Sequence, residues 1–230
     1  MKSKQFVSLI PARKNSKGLR NKNLHPLNGK PLISWTIDAS RLSSSIESTF
    51  VSSDSNTILQ LASDQEAIQI KRDDMLATDN ARMELVVLDA IKKINDLGFD
   101  FENIVLLQPT SPLRDHQDID LACKQFLTED CKALISVQKT ESNILKSFIV
   151  DEDGYLQAPF GKQFISMNRQ DLPDAYKPNG AIYVINKEAF LNDPLFLQNQ
   201  TTFYLMDDQK SIDIDSKEDI SKIECILQQR

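Results

Sequence analysis

Phe6-Val7-Ser8-Leu9-Ile10-Pro11-Ala12-Arg13-Lys14-Asn15-Ser16-Lys17-Gly18-Leu19-Arg20-Asn21-Lys22-Asn23 is an apolar run followed at once by a cationic loop. A short apolar run bounded by a proline predicts a buried strand, Phe6–Ile10. From Met1 to Ile37 there is no Asp or Glu, while Arg13, Lys14, Lys17, Arg20, Lys22 and Lys30 fall between Pro11 and Lys30. The whole chain nevertheless carries a net charge of −6. A cationic loop hung on the first strand of an acidic protein points to a small polyanion as its ligand.

Working outward from that strand, apolar runs and helical spacings alternate. Pro31–Ser43 reads as a helix with Pro31 near its first turn. Thr49–Val51 reads as a short strand, Asn56–Ala62 as a helix and Ala67–Ile70 as a strand. Met83, Val86, Val87, Ala90, Ile91 and Ile94 recur at helical spacing, which predicts a helix over Asn80–Leu97 with Asp79 as its cap and Gly98 as its stop. Asn103–Leu107 has the unbroken apolar character of a strand buried on both faces. His116–Leu127 reads as a helix and Ala133–Val137 as a strand. This alternation predicts an α/β fold, a mainly parallel sheet covered by helices on both faces.

The pattern changes after Val137. Residues from about 139 to 176 carry short β-like pieces, the turn Asp151-Glu152-Asp153-Gly154 and scattered Pro and Gly. They read as a hairpin-bearing excursion that forms a subunit contact. The core resumes at Gly180–Ile185, and a helix near Lys217–Gln229, capped by Ser216, closes the chain. No repeat or low-complexity segment interrupts it, so 1–230 reads as a single domain.

Composition narrows the function. At 230 residues and 40% hydrophobic content, one α/β domain can bury a full core. No apolar run approaches the length of a membrane span, and Met1-Lys2-Ser3-Lys4-Gln5 leads straight into the first strand without a signal-peptide core. Cys123, Cys131 and Cys225 show no C-x-x-C spacing and read as reduced thiols. The expectation is a cytoplasmic protein without membrane contact. The acidic balance argues against a nucleic-acid binder.

Four segments carry candidate chemistry. In an open α/β sheet, ligands bind beyond the carboxyl ends of the strands. There, Arg13 can take a phosphate with paired donors while Lys17 and Lys22 act as point charges. The loop matches neither G-x-x-x-x-G-K-[ST] nor G-x-G-x-x-G, and a solvated basic turn is the alternative. Ser211-Ile212-Asp213-Ile214-Asp215, if extended, points Asp213 and Asp215 to one face. Such a pair suits Mg²⁺ shared with substrate phosphates; an edge strand with its charges in water is the alternative. Leu106-Leu107-Gln108-Pro109-Thr110-Ser111-Pro112-Leu113-Arg114 runs a buried strand into a stiff polar turn, placing Gln108, Thr110 and Ser111 at the ligand edge; an ordinary connection is the alternative. Arg169 through Gly180 is a polar approach to a strand, or a surface loop. His25, His116 and Trp35 fit structural roles.

The ordered motifs I-P-A-R-x-N-S-K-G-L-x-N-K-N, S-S-D, L-A-T-D, L-L-Q-P-T-S-P-L-R, P-N-G-A-I-Y and S-I-D-I-D span Ile10 to Asp215. Together they resemble the acylneuraminate cytidylyltransferases. The resemblance implies a Rossmann-like nucleotidyltransferase three-layer fold with a dimerisation excursion in its second half. It implies coupling of CTP to a nine-carbon 2-keto sugar acid, with Mg²⁺, by a homodimer. Carried onto matching positions, Arg13, Lys17, Lys22, Asp213 and Asp215 form the catalytic set, with the two aspartates on the metal. Ala12, Arg13, Asn23, Arg72 and Ala81 bind CTP. Gln108, Thr110, Ser111, Asn179 and Tyr183 line the sugar site, and Lys146 and Arg169 reach it from the neighbouring subunit. Arg82 and Met83 depart from the pattern by adding bulk at the base-binding corner, and Lys177 stands where arginine is frequent. The acid is open among neuraminic, legionaminic and pseudaminic types. The alternatives are activation of the eight-carbon acid Kdo, disfavoured by the long Q-P-T-S-P and S-I-D-I-D matches, and a non-catalytic nucleotide-sugar-binding module.

Overall fold

A computed structural model of the chain describes residues 6–16 and 18–228. Strand β1 (Phe6–Pro11) is buried throughout and runs into the basic loop. A small ribbon of β2 (Pro26–Leu27) and β3 (Lys30–Pro31) hands the chain to helix α1 (Leu32–Leu42). Then follow β4 (Ile46–Ser53), α2 (Asn56–Asp64), β5 (Ile68–Lys71), α3 (Met83–Asp96), β6 (Asn103–Leu106), α4 (His116–Thr128) and β7 (Ala133–Thr140). The excursion carries a hairpin of β8 (Ile149–Val150) and β9 (Leu156–Gln157), then α5 (Lys162–Ser166). The chain closes with β10 (Ala175–Asn186), α6 (Lys187–Asn192), β11 (Thr201–Leu205) and α7 (Lys217–Leu227).

The seven-stranded sheet has the order β11-β7-β10-β6-β1-β4-β5. Pairings β1/β4, β1/β6, β4/β5 and β7/β11 are parallel, and β10 alone runs antiparallel, between β6 and β7. The mainly parallel α/β fold expected from the sequence is therefore present. From β1 the chain builds outward to β4 and β5, then returns to place β6 on the other side of β1. That reversal opens a crevice beyond the carboxyl ends of β1 and β6, where open α/β sheets bind ligands.

Side-chain alternation explains the layers. Phe6 and Ile10 of β1 pack with Ile33, Ile37, Ile119 and Phe126 under α1 and α4. Val7 and Leu9 pack with Val87, Ile91, Ile104 and Phe190 on the opposite face. A third cluster joins Leu19 of the basic loop, Leu113, Ile214 and α7 residues Ile220 and Ile223. Burying each such side chain contributes roughly 1.5–3 kcal/mol. This cluster thus clamps the loop, the turn after β6 and the S-I-D-I-D segment together.

Several boundaries differ from the sequence reading. The helix expected from Asn80 starts at Met83, with Arg82 at its cap position and no side-chain cap. Asp79 faces Arg13 instead. Strand β4 is much longer than Thr49–Val51 because it pairs with β1 along its length. The segment Ser211–Asp215 forms no strand; a turn closes at Ser211, and Ile214 N–H donates to the Thr110 carbonyl at 2.8 Å. Strands β7 and β10 stay paired through Thr140 and Ala175, so the excursion leaves the sheet slightly later than expected. Asp115 and Ser216 cap α4 and α7 with full capping boxes. All three cysteines are free thiols, and no helix among the described residues is long and apolar enough to cross a membrane.

Candidate active site

The basic loop is held from below and from the side. Ala12 N–H extends the β1 ladder to the Ser52 carbonyl at 2.9 Å, and the buried Asn23 donates its amide to the Arg13 carbonyl at 2.9 Å. Arg13 Nη1 donates to Asp79 Oδ1 at 2.5 Å. Lys22 Nζ donates to the Ile214 carbonyl at 2.7 Å and to Asp215 Oδ1 at 3.0 Å. Gly18 sits so close to the S-I-D-I-D segment that a Cβ there would lie 2.6 Å from the Asp215 carbonyl oxygen. Only glycine permits this approach. Lys17 lies outside the described residues.

These contacts frame a cavity of about 260 Å³. Arg13, Lys22, Asn23, Arg72, Thr110 and Asp215 are among the residues that line it. Beside it lies a second cavity of about 360 Å³, lined by Gln138, Lys177, Asn179, Tyr183 and Asp213. Gln108 lines both and forms the shared wall. Its Oε1 would lie 3.1 Å from a Cβ at position 180, where Gly180 holds φ at +76°. The first cavity thus collects cations and one carboxylate; the second is polar and larger.

Asp213 and Asp215 stand on either side of that division. Burial pushes the Asp213 carboxyl up, the neighbouring Thr110 pulls it down, Asp215 pushes it further up, and Lys22 opposes that rise. The net shift is upward. Its Oδ1 is buried without a hydrogen-bond partner. An orphaned carboxylate oxygen beside a second carboxylate is a fitting environment for a hard divalent cation, which relieves both repulsion and desolvation. Among the described residues no third His, Cys, Asp or Glu joins them. Any such ion would draw its remaining ligands from substrate oxygens and water.

The other expected residues sort unevenly. Arg72 is buried and donates from Nη2 and Nε to the Ser52 carbonyl and Oγ at 2.8 and 3.1 Å. Burial lowers it to about 10, so it stays charged. Ala81 does not line the first cavity, whereas Met83 does. Thr110 lines the first cavity but not the second, and Ser111 is buried away from both. Tyr183 lines the second cavity, its ring 5.1 Å from that of Phe196. Its hydroxyl is shifted up by burial and then by Asp213. Lys146 donates to the Met167 carbonyl and Arg169 pairs with Glu141 at 3.5 Å, so both stay within the excursion and line neither cavity.

Sequence reasoning missed Asp79, Gln138 and Arg114. Asp79 reads as a helix cap because an Asp before a periodic run is the usual cap signal. Gln138 faces Lys177 across the β7/β10 pairing, a register that no single strand reveals. Arg114, the last residue of Q-P-T-S-P-L-R, is fully buried. It donates to Thr36 Oγ1 at 2.8 Å and to the Ala181 carbonyl at 3.4 Å, bolting the turn after β6 to α1 and β10. Burial lowers its guanidinium to about 10, against the raising effect of Asp118.

A family model described as cytidylyltransferase matches residues 7–230 of this chain. An N-acylneuraminate cytidylyltransferase of Escherichia coli O18:K1:H7 is 36% identical over 228 residues, covering 98% of this chain and 53% of that relative. The chain spans about half the length of the first curated relatives it matches. A CMP-N,N'-diacetyllegionaminic acid synthase of Legionella pneumophila is 32% identical over 226 residues, covering 97% of each chain. Among solved structures, a CMP:2-keto-3-deoxy-manno-octonic acid synthetase complexed with CTP aligns with a TM-score of 0.71 at 15% identity. That alignment covers 98% of this chain and 99% of that one, a likeness of fold.

Proposed function

The chain belongs to the cytidylyltransferase family, and on that footing we propose that it couples CTP to a nonulosonic, sialic-type acid with release of pyrophosphate. The observation that carries this reading is the pair of cavities meeting at Gln108, one cationic and one polar, with Asp215 and Asp213 divided between them. The first fits a triphosphate and the second a sugar acid. The relatives whose names give N-acylneuraminate, diacetyllegionaminic and pseudaminic acids support a nine-carbon substrate. The Kdo synthetase likeness is of fold alone.

In this reading the sugar's anomeric hydroxyl attacks the α-phosphorus of CTP. An oxygen–phosphorus bond forms, the α–β phosphoanhydride breaks, pyrophosphate leaves and the hydroxyl proton passes to solvent. Arg13 and Lys22 bind the phosphate oxygens, with Lys17 added from the sequence, and offset the charge that builds there. Asn23 and Ala12 keep the loop against the sheet. Arg72 and Met83 border the base end, next to Ala81. Gln108 and Tyr183 orient the sugar, with Thr110 beside the carboxylates. Asp213 and Asp215 would hold Mg²⁺, which when bound would supply neutralisation of phosphate charge.

The active form is a homodimer joined through the excursion. Phe148, Ile149, Val150, Tyr155 and Leu156 expose between 49% and 71% of their surface there, an apolar patch suited to a partner. Lys146 and Arg169 serve the neighbouring subunit's sugar site. The free thiols fit a reducing compartment, and cytoplasmic location is part of the proposal.

The test is direct. The protein is incubated with each nucleoside triphosphate, Mg²⁺ and a panel of sugar acids, and pyrophosphate release is followed. Release with CTP and a nonulosonic acid is expected; absence of release with every such acid sinks the reading.

A further inference from the structure

Asn179 resembles a sugar-contacting residue by position, but its side chain is committed elsewhere. It is 6% exposed and sits where the β10/β7 register slips between Pro178 and Tyr183. Its Oδ1 accepts from Ser136 Oγ at 2.6 Å and from Ala181 N–H at 3.2 Å. Its Nδ2 donates to Ser211 Oγ at 2.9 Å and points at Met206 Sδ, 3.2 Å away. A carboxamide has two donors and two acceptor sites. All four are used, and none remains for a sugar hydroxyl.

The direction of the chain is fixed as well. Ile182 N–H donates to Ser136 Oγ at 2.8 Å, so the Ser136 proton must go to Asn179 Oδ1. Ser211 Oγ donates to the Asp207 carbonyl at 2.8 Å, so it must accept from Asn179 Nδ2. The amide therefore transmits the position of β7 to Ser211, two residues before Asp213. Ser136 and Ser211 are buried at 0% and 5% exposure, so water does not compete for these bonds.

We propose that Asn179 is a positioning residue for the Asp213/Asp215 segment, acting through Ser211, and that it does not recognise the sugar. This rests on the reading of those aspartates as the divalent-cation ligands. Partners behind metal ligands that hold them in place are commonly worth about 10–100-fold in metal affinity.

The test uses Mn²⁺ as probe, titrated into the intact protein in the presence of CTP and followed by electron paramagnetic resonance. Asn179→Ala and Ser211→Ala are compared with wild type. Ser211→Ala removes one hydroxyl and leaves the bonds from Asn179 to Ser136 and Ala181 in place, so it carries the test if Asn179→Ala does not fold. Both variants should bind Mn²⁺ about tenfold more weakly or worse. The KM for the sugar acid at saturating metal should stay within about twofold of wild type, since the metal affinity carries the effect. Unchanged Mn²⁺ affinity in Ser211→Ala overturns the inference, as does a raised sugar KM with normal Mn²⁺ binding in Asn179→Ala. Wild-type protein that binds CTP but no Mn²⁺ overturns the underlying cation reading instead.

Discussion

Lys22 Nζ lies 2.7 Å from the Ile214 carbonyl and 3.0 Å from Asp215 Oδ1, joining the basic loop to a segment 192 positions away. The Lys22 side chain is only 12% exposed, whereas that of Asp215 is 80% exposed. The ammonium is thus fixed by the backbone carbonyl, and the exposed carboxylate pairs with it from the solvent side. Lys22→Met keeps the length and removes the charge. It should lower kcat/KM for CTP by about 100-fold, the scale of losing one preorganised donor to a developing oxyanion. A steady-state assay with the melting temperature measured alongside checks this; near-normal turnover would remove Lys22 from the phosphate site.

Asp213 carries a cost of burial. Its folded pKa lies above its unfolded value, chiefly through burial. Between those two values the folded state holds more protons than the unfolded state, so stability falls as pH rises through that window. The penalty is absent below the unfolded pKa and complete above the folded one. Asp213→Asn removes it, so the variant should melt higher than wild type at neutral pH and show no difference near pH 3. Each kcal/mol relieved is worth about 2–4 °C in a chain of this size. Turnover should fall by orders of magnitude in the same variant. Mg²⁺ with CTP should raise the wild-type melting temperature and leave that of the variant nearly unmoved. A variant that melts lower at pH 7 contradicts the burial argument.

The strands of the core were legible because parallel buried strands are unbroken apolar runs, as in Phe6–Ile10 and Asn103–Leu107. The reversed direction of β10 was not, because an apolar run such as Ala181–Ile185 carries no sign of its orientation. Asp213 and Asp215 were expected on one face of an extended strand. The segment is not a strand, yet Ile214 is buried in the third cluster and Ile212 packs against it. The two aspartates are left toward the cavities they line. The buried Ile214 between them thus separates the two aspartates, Asp215 on the first cavity and Asp213 on the second, where the sequence reading had put both on one face. Thr110 and Ser111, adjacent in a polar turn, separate sharply, since Ser111 is drawn inside while Thr110 lines the first cavity. A polar sequence does not say which of two neighbours turns inward.

Arg13, which lines the first cavity, pairs with Asp79, joining the basic loop to the turn before α3. The side chains are 29% and 42% exposed, so the pair itself contributes about 1 kcal/mol or less to stability. Its value lies in orienting the guanidinium. Asp79→Asn should change the melting temperature little and raise the KM for CTP several-fold. In an Arg13→Met background the same change should cost less than it does in the wild type. Additive losses in this double-mutant cycle would show that Asp79 acts independently of Arg13.

The exposed excursion makes the strongest demand on assembly. Lys146 and Arg169 sit on it and line neither cavity of their own chain, so a role at a sugar site requires a second copy. An Arg169→Ala subunit has an intact basic loop, and an Arg13→Ala subunit has an intact excursion. A mixed dimer of the two contains one site in which both defects fall together and one in which neither does. Each parent variant alone should be nearly inactive, and the mixed dimer should recover up to half of the wild-type activity per dimer. The same logic assigns a second result: Ile149→Asp, placed in the 56% exposed hairpin residue, should yield a monomer with low turnover but an unchanged fold. Sedimentation of the mixed and mutant proteins, with pyrophosphate release measured on the same samples, separates loss of the dimer from loss of the site. A verified mixed dimer without recovery would confine each site to one subunit and leave Lys146 and Arg169 as surface charges.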